Sequence, residues 1–374
     1  MRVERLFLAS FRSYAHLEVS FPAGPQVVVG ANATGKTNLL ESLVVLGTAR
    51  SHRAGQDGEL ISWEADFARL EADVAGTAQS SQAIEVVIAR TAAGGGRKRV
   101  LVNGVARRPS ALAAALPVVL FAPEDMLLVV GSPGLRRSSL DTLIAQTVPA
   151  SGATMSTYAR ALTQRNNLLR QVREGMAAPG ELHYWDEVVV DAGARIVDWR
   201  RAVLAQLARP LSSAHHEIAP GEATLELRYL TNAEPAGAET TRDALQRRLI
   251  DTREKEMWNG ATLIGPHRDD IAFASGERDL AAYASRGQQR TAILAYKLAQ
   301  LDLLAASAGQ PPLLLLDDVF SELDPDRRAH LVRRIGALPQ AFVTTTTTDD
   351  LDPALVAAST VWRVSSGQLT PAGE

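Results

Sequence analysis

Residues Gly30-Ala31-Asn32-Ala33-Thr34-Gly35-Lys36-Thr37 fit the eight-residue pattern G-x-x-x-x-G-K-[ST] of a phosphate-binding loop. The flanks fit too. The apolar run at residues 26–29 reads as a buried strand entering the loop, and residues 38–46 read as the helix leaving it. In that setting backbone N–H groups curl round a β-phosphate and the positive end of the helix dipole points at it. Lys36 then reaches the β- and γ-phosphates, and Thr37 offers its hydroxyl to a Mg²⁺ ion that arrives with a nucleotide. A Gly-rich turn that merely precedes a helix is the alternative, and the strand and helix on either side disfavour it.

Working outward, the 374 residues are 46% hydrophobic and 22% charged, the balance of an ordinary globular protein with one large core or two. Cysteine is absent, which excludes disulfides, thiolate zinc sites and cysteine nucleophiles and suits a reducing compartment. Residues 1–14 lack the apolar core of a signal peptide, and no apolar run has bilayer-spanning length. A cytoplasmic location with no membrane partner is therefore expected. With a net charge of −3, a polyanion has to be held by a local basic patch and not by the field of the whole molecule.

Alternation predicts antiparallel strands at residues 3–8 and 17–21, then at 69–74, 83–90 and 99–102, with Asn103-Gly104 as a hairpin turn. Such a sheet beside the nucleotide strand is unlike a plain alternating βαβ domain. Residues 118–121 form another buried-strand candidate, stopped by Ala122-Pro123. Helical spacing then dominates in residues 135–148, 158–172, 182–211 and 245–258, with a strand at 221–229 and a loop at 231–240. No heptad pattern is sustained, so no coiled-coil arm is expected.

Two further motifs carry chemistry. Leu313-Leu314-Leu315-Leu316-Asp317-Asp318 is an apolar strand ending in two carboxylates. Asp317 is the natural second Mg²⁺ ligand beside Thr37, and Asp318 the group that orients a water towards a γ-phosphate. An acidic strand end that only caps its turn is the plainer reading. Ser285-Arg286-Gly287-Gln288-Gln289 places a hydroxyl, a glycine and an amide at a helix start, again an anion site. One nucleotide in one chain does not need two such sites, so this one points to a phosphate bound by another copy. A helix cap made by Ser285 with Gln288 remains the alternative.

Together the loop, the Ser-x-Gly-Gln-Gln signature, the Asp317-Asp318 strand and Ser321-Glu322-Leu323-Asp324 resemble an ABC-type ATPase head of the group that includes SMC proteins. More narrowly, Arg50-Ser51-His52-Arg53, residues 121–125 and 131–141, and Gly265-Pro266-His267-Arg268-Asp269-Asp270 resemble the RecF family of bacterial repair ATPases. The resemblance covers nearly the whole chain. It implies an α/β ABC-type head with mixed sheets (residues 1–125 and 261–374) and an inserted, mainly helical lobe (residues 126–260). It also implies ATP with Mg²⁺, and slow hydrolysis used as a switch. Nucleotide contacts are then expected from Gly30, Ala31, Asn32, Ala33, Thr34, Gly35, Lys36, Thr37, Asn38 and Arg12. Gly287 and Gln288 would add theirs, with Ser285 acting at the γ-phosphate.

The partners implied are double-stranded DNA at gaps or single-strand/double-strand junctions, RecR, RecO and RecA, and a second copy in an ATP-dependent homodimer. The location implied is cytoplasmic and nucleoid-associated. Three departures from the family pattern stand out. Ala33 and Thr34 occupy positions commonly given to Gly and a small polar residue, the run Thr344 to Thr348 stands where a switch histidine is usual, and no Gln follows Phe121, leaving Glu124 or Asp125 as stand-ins. All three point to slow turnover. The missing Gln and His also weigh against a transporter subunit, and a non-hydrolysing nucleotide-gated scaffold is the third reading. Candidate DNA contacts are Arg97-Lys98-Arg99, Arg107-Arg108, Arg136-Arg137, Arg200-Arg201 and Arg247-Arg248, with internal ion pairs the commoner fate of such residues.

Overall fold

The computed structural model describes residues 1–76, 81–91, 95–365 and 367–372. The strand Gly24–Val29 lies inside a six-stranded sheet whose order is Gln368–Pro371, Thr360–Ser365, Gly24–Val29, Gln340–Thr345, Leu313–Asp317 and Val118–Phe121. All neighbours are parallel except the edge hairpin Thr360–Ser365 with Gln368–Pro371. Continuous apolar runs suit strands covered on both faces, and Leu313–Asp317 and Gln340–Thr345 are buried at every residue.

A second, antiparallel sheet runs Tyr14–Ser20, Arg2–Phe11, Phe67–Ala75, Ser81–Arg90, Gly96–Val102 and Val105–Arg107. Its alternating pattern turns Leu6, Leu8, Ala68, Leu70, Ile84, Val86 and Ile88 into one core. The hairpin at Asn103-Gly104 has φ of 52° and 74° at its two central residues, the signature of the tight turn that an Asn-Gly pair favours. Between the sheets runs the helix Lys36–Thr48, whose Leu39, Leu40, Leu43 and Leu46 join the same core as Val28, Leu315 and Phe342.

The described chain divides into two compact units, Met1–Met126 with Ser213–Glu222 and Arg286–Glu374, and Leu127–Ser212 with Ala223–Ser285. The second carries the helices Pro133–Thr147, Ser151–Arg173, Thr241–Asp251 and Arg253–Asn259, most of the helix Leu182–Ile218, and a small antiparallel sheet of Leu225–Leu230, Asp270–Ser275 and Arg278–Asp279. Two expectations need correction. The helix expected over residues 245–258 is broken at Thr252, which has φ −100° and ψ 1°. The return to the head, expected at residue 261, comes only after Ser285.

The physical reason is polar. Gly265 to Asp270 form the hub of the helical unit: Arg136 clamps Asp270 with two 2.8 Å bonds, Arg137 donates to the Asp269 carbonyl at 2.6 Å, and Tyr229 donates to Asp269 Oδ2 at 2.6 Å. Arg200 spans Asp141 with two 2.8 Å bonds and the Pro266 carbonyl at 2.7 Å. Burial pushes the His267 imidazole down to about 4, and its Nδ1 sits 2.6 Å from the Tyr158 hydroxyl. Gly265, at φ 126°, has no room for more, since a Cβ there would lie 2.6 Å from that hydroxyl.

Deeper still, Arg165 is 1% exposed and bonds Asp186 at 2.7 Å, Glu256 at 2.7 Å and Thr262 at 2.8 Å. Removing this cation strands two buried carboxylates. Arg165→Met is therefore expected to destabilise the helical unit by about 3–5 kcal/mol in denaturant unfolding, whereas a cost under about 1 kcal/mol would mean the triad behaves like a surface pair.

Candidate functional site

The loop from Gly30 to Gly35 joins the strand Gly24–Val29 to the helix Lys36–Thr48. Two of its residues take positive φ, Gly35 at 113° and Ala33 at 64°. For Ala33 this left-handed conformation costs roughly 1–2 kcal/mol, so the neighbours have to hold it. They do so through the turn between the first two strands. Tyr14 donates its hydroxyl to the Gly35 carbonyl at 3.0 Å, and Asn38 donates to Ser13 Oγ at 2.9 Å. Any side chain at Gly35 would press on this grip, its Cβ lying 3.0 Å from Ser13 Oγ.

Lys36 is buried and donates to the carbonyls of Gly30 at 2.6 Å and Ala31 at 3.0 Å. Desolvation lowers its pKa, while Asp318 and Asp317 act in the opposite sense. Such an ammonium, whose direct partners among the described residues are two neutral carbonyls, is an incomplete electrostatic arrangement that a phosphate completes.

Asp317 ends its strand opposite Thr344. Thr344 Oγ1 donates to Asp317 Oδ1 at 2.6 Å and accepts from the Asp318 backbone N–H at 3.0 Å. A residue of the threonine run thus fixes the carboxylate of Asp317 and the backbone of Asp318. Asp318 has φ 53°, and burial pushes its carboxyl up; Lys36 pulls it down, while Asp317, Asp350 and Glu322 push it further up. A raised carboxylate beside a lysine in a cleft is the electrostatic mark of a functional acid or base.

These groups face an open cleft of about 430 Å³, lined by Asn32, Ala33, Gly35, Lys36, Thr37 and Asn38 on one wall and by Asp317 and Asp318 on another. Its donors are hard oxygens, the Thr37 hydroxyl and two carboxylates, which suits Mg²⁺ bound with a nucleotide. Among the described residues no group of three or more His, Cys, Asp or Glu forms a metal cage. Few protein ligands are also what Mg²⁺ held largely by phosphate oxygens requires.

Other expected residues fall elsewhere. Gly30 and Ala31 serve as carbonyl partners of Lys36, and Thr34 turns its hydroxyl back to the Ala31 carbonyl at 2.8 Å. Arg12 does not line the cleft; it clasps the fully buried Glu41 with two 2.8 Å bonds and donates to the Glu59 carbonyl at 2.9 Å. Burial alone would push the Glu41 carboxyl up, and the bonds from Arg12 and Ser51 overcome this and hold it down. Ser285, Gly287 and Gln288 lie at or just before the start of the helix Arg286–Ala308, outside the lining of this cleft.

Arg53, Pro123 and Glu124 complete the lining, and of these Arg53 is the one for which the sequence suggested no role. The basic run from Arg50 to Arg53 straight after the loop's helix was the available signal. Ser51 Oγ accepts from the backbone N–H groups of Arg53 at 2.9 Å and Ala54 at 2.8 Å, fixing the turn, and Arg53 donates to Asn38 Oδ1 at 3.4 Å.

The family model described as the RecF/RecN/SMC N terminal domain matches residues 2–368. The DNA replication and repair protein RecF of Halalkalibacterium halodurans is 37% identical over 380 residues, covering 100% of both chains. That of Bacillus subtilis is 38% identical over 373 residues, 99% of this chain and 100% of the other. A solved structure of the recombination mediator protein RecF-ATPrS in the RecFOR pathway superposes with a TM-score of 0.89 at 28% identity, over 99% of this chain and 98% of that one. A Smc head bound to the C-terminal winged-helix domain of ScpA shares the fold, with a TM-score of 0.52 at 17% identity over 99% of this chain and 96% of that one.

Thr344 offers a clean test of the carboxylate geometry, because valine keeps its shape and removes only its hydroxyl. Thr344→Val is expected to lower Mg²⁺ affinity in the nucleotide complex roughly 10–100-fold, the usual effect of losing a group that orients a metal ligand. Titration calorimetry with and without Mg²⁺ reads it. Equal Mg²⁺ affinity in the two proteins would show that Asp317 is oriented by other means.

Proposed function

The chain belongs to the RecF/RecN/SMC N terminal domain family and, within it, to the RecF proteins; on that premise we propose that it is an ATP-gated, DNA-binding protein of recombinational repair and replication restart. The observation that carries the reading is Lys36, a desolvated ammonium resting on loop carbonyls within the field of Asp317 and Asp318. ATP supplies the anion that this arrangement lacks. Lys36 then leaves the carbonyls of Gly30 and Ala31 for the β- and γ-phosphates, while the loop N–H groups and the helix N-terminus hold the β-phosphate.

Thr37 and Asp317 hold Mg²⁺, which neutralises charge on the phosphate oxygens. Asp318 accepts a hydrogen bond from the attacking water and so orients it. The side chain is one methylene shorter than Glu, and together with the threonine run it supports slow hydrolysis, a switch and not a pump. Ser285, Gly287 and Gln288 do not line the cleft. In this reading they close over the nucleotide of a second copy, which makes the working unit an ATP-dependent homodimer.

DNA is the proposed ligand of the closed dimer, at gaps or single-strand/double-strand junctions, with RecR and RecO as partners in loading RecA. The arginines support a specific surface. Arg136, Arg200, Arg201, Arg247 and Arg248 are in ion pairs, with Asp270, Asp141, Glu234, Glu239 and Asp251, and Arg137 is turned onto a carbonyl. Arg97, Arg99, Arg107 and Arg108 are exposed and enter no ion pair among the described residues; Arg97 and Arg99 share one face of the strand Gly96–Val102, while Arg107, on the edge strand Val105–Arg107, pairs with Val100 and so lies on the other face. Arg97 and Arg99 are the patch that a chain of net charge −3 needs. No helix among the described residues is long and apolar enough to cross a membrane, and the location proposed is the cytoplasm, at the nucleoid.

Sedimentation with ATP tests the dimer. Wild-type protein is expected to shift from monomer to dimer, most clearly as Asp318→Asn, which keeps ATP and Mg²⁺ but stops hydrolysis. Ser285→Arg should bind nucleotide and stay monomeric. If that variant dimerises as readily as wild type, Ser285 is a helix cap and the two-copy site must be given up.

The DNA surface is read separately. Arg97→Ala with Arg99→Ala should weaken duplex binding about equally on unrelated sequences and lower the salt slope by roughly 1 for each phosphate no longer neutralised. An unchanged slope would place the DNA elsewhere.

A further inference from the structure

The helix Arg286–Ala308 carries Gly287 and Gln288 in its first turn, and close to that start it is bonded to the segment that follows Asp318. Arg290 donates to Glu322 Oε2 at 2.6 Å. Thr291, fully buried, accepts from Arg327 Nε at 2.8 Å and donates its hydroxyl to the Gly287 carbonyl at 3.1 Å. Arg327 also pairs with Asp324 Oδ2, while Asp324 Oδ1 accepts the Arg327 backbone N–H at 3.0 Å. At the near end of the segment, Ser321 donates its hydroxyl to the Asp318 carbonyl at 2.9 Å. The stretch between is seated by Val319, Phe320 and Leu323, all buried.

We propose that Arg290 and Arg327 are positioning residues that couple the water-orienting carboxylate of a chain's own nucleotide site to that chain's closure over the nucleotide of a second copy. The inference rests on the proposed function, in which Asp318 serves one nucleotide and Gly287 with Gln288 close over the other. Stability does not account for the ties. Arg290 is 39% and Glu322 42% exposed, and ion pairs so open to water contribute little to folding.

The backbone of Asp318 shows how the coupling reaches the carboxylate. Its N–H is held by Thr344 Oγ1 on the strand Gln340–Thr345, and its carbonyl by Ser321. Between these two holds lies a residue at φ 53°, a strained conformation that lasts only while its surroundings enforce it. One hold belongs to the sheet. The other belongs to the segment that Arg290 and Arg327 fasten to the helix. A γ-phosphate that draws in Gly287 and Gln288 draws the helix start with it, and the bonds to Glu322 and Asp324 carry the displacement to Ser321 and so to the direction of the Asp318 carboxyl.

Dimer formation and hydrolysis, measured separately on the full-length protein, test the coupling. Sedimentation with ATP and Mg²⁺ reads the first, and single-turnover decay of ATP, at a protein concentration that makes every chain dimeric, reads the second. Arg290→Gln and Glu322→Gln are each expected to bind ATP and dimerise within about threefold of wild type, since Lys36, Ser285 and Gly287 are untouched. Both should hydrolyse ATP roughly tenfold more slowly. Thr291→Val, which removes the Arg327 tie and no charge, should act in the same direction. Arg290→Glu combined with Glu322→Arg rebuilds the pair in reverse and should recover most of the rate. Normal hydrolysis in the single variants overturns the coupling. So does a loss of dimer that matches the loss of rate, because the ties would then serve closure alone. A slow rate that the reversed pair leaves slow overturns it as well, since Arg290 and Glu322 would act apart. A wild-type chain that stays monomeric with ATP fails the two-copy site itself, and the coupling falls with it.

Discussion

The helix Lys36–Thr48 has to be buried along almost its whole length, and the head is arranged to allow it. An amphipathic helix needs one covering layer, whereas this one is buried at nearly every residue from Leu39 to Gly47 and needs two. The parallel sheet covers it with Val28, Leu315 and Phe342, and the antiparallel sheet with Leu6, Leu8 and Leu70. Its N-terminus therefore emerges at the floor of the cleft, where Gly35 and Lys36 are buried and the ammonium is desolvated. Attraction for a phosphate follows from that burial as much as from the residues of the loop. A helix lying on an open surface would carry the same motif with a weaker field.

Two sheets held only by apolar contact could slide, and Asp317 would slide with them relative to the antiparallel sheet. Gln340, fully buried at the start of the strand Gln340–Thr345, prevents this. Its side chain accepts from the Val3 N–H at 2.8 Å and donates to the Val3 carbonyl at 3.0 Å, at the point where the strand Arg2–Phe11 shifts register against its neighbour. The irregularity frees a backbone N–H and C=O that a regular ladder would use, and the amide satisfies both. The strand so pinned carries Thr344, which holds Asp317. The antiparallel sheet carries Tyr14, which holds Gly35. The two walls of the cleft rise from one parallel sheet, and the buried amide helps fix the antiparallel sheet, with Tyr14, against them.

Much of this was legible in the sequence because it is local. The phosphate loop, the strand ending in Asp317, the Asn103-Gly104 hairpin and the absence of a coiled coil each depend on a few neighbouring residues, and spacing or turn chemistry reveals them. What was not legible depends on partners far away along the chain. Arg136 meets Asp270, Arg165 meets Glu256 and Arg200 meets Asp141. No periodicity announces such pairs. They help draw residues 261–285 into the helical unit, and they turn Arg136 and Arg200 inward. Arg12 shows the same limit: beside the loop in space, it supports the site through Glu41 and does not line it.

The strained residues mark where the site makes demands on the backbone. Among the described non-glycine residues with positive φ, Ala49 ends the helix, Asn103 turns a hairpin and Ser10 lies near the end of the strand Arg2–Phe11, while Arg12, Ala33 and Asp318 lie in the cleft or in the turn that grips the phosphate loop. An aspartate tolerates the left-handed region better than most residues, so Asp318 can turn its carboxyl back towards Lys36 at modest cost. Ala33 has no such excuse, and its strain is sustained only because Gly35 and Asn38 are fastened to Tyr14 and Ser13. A loop held by its surroundings, and not by glycine at every tight position, keeps its shape only while the turn at Ser13 and Tyr14 stays in place, so the antiparallel sheet is as much a part of the phosphate site as the loop itself.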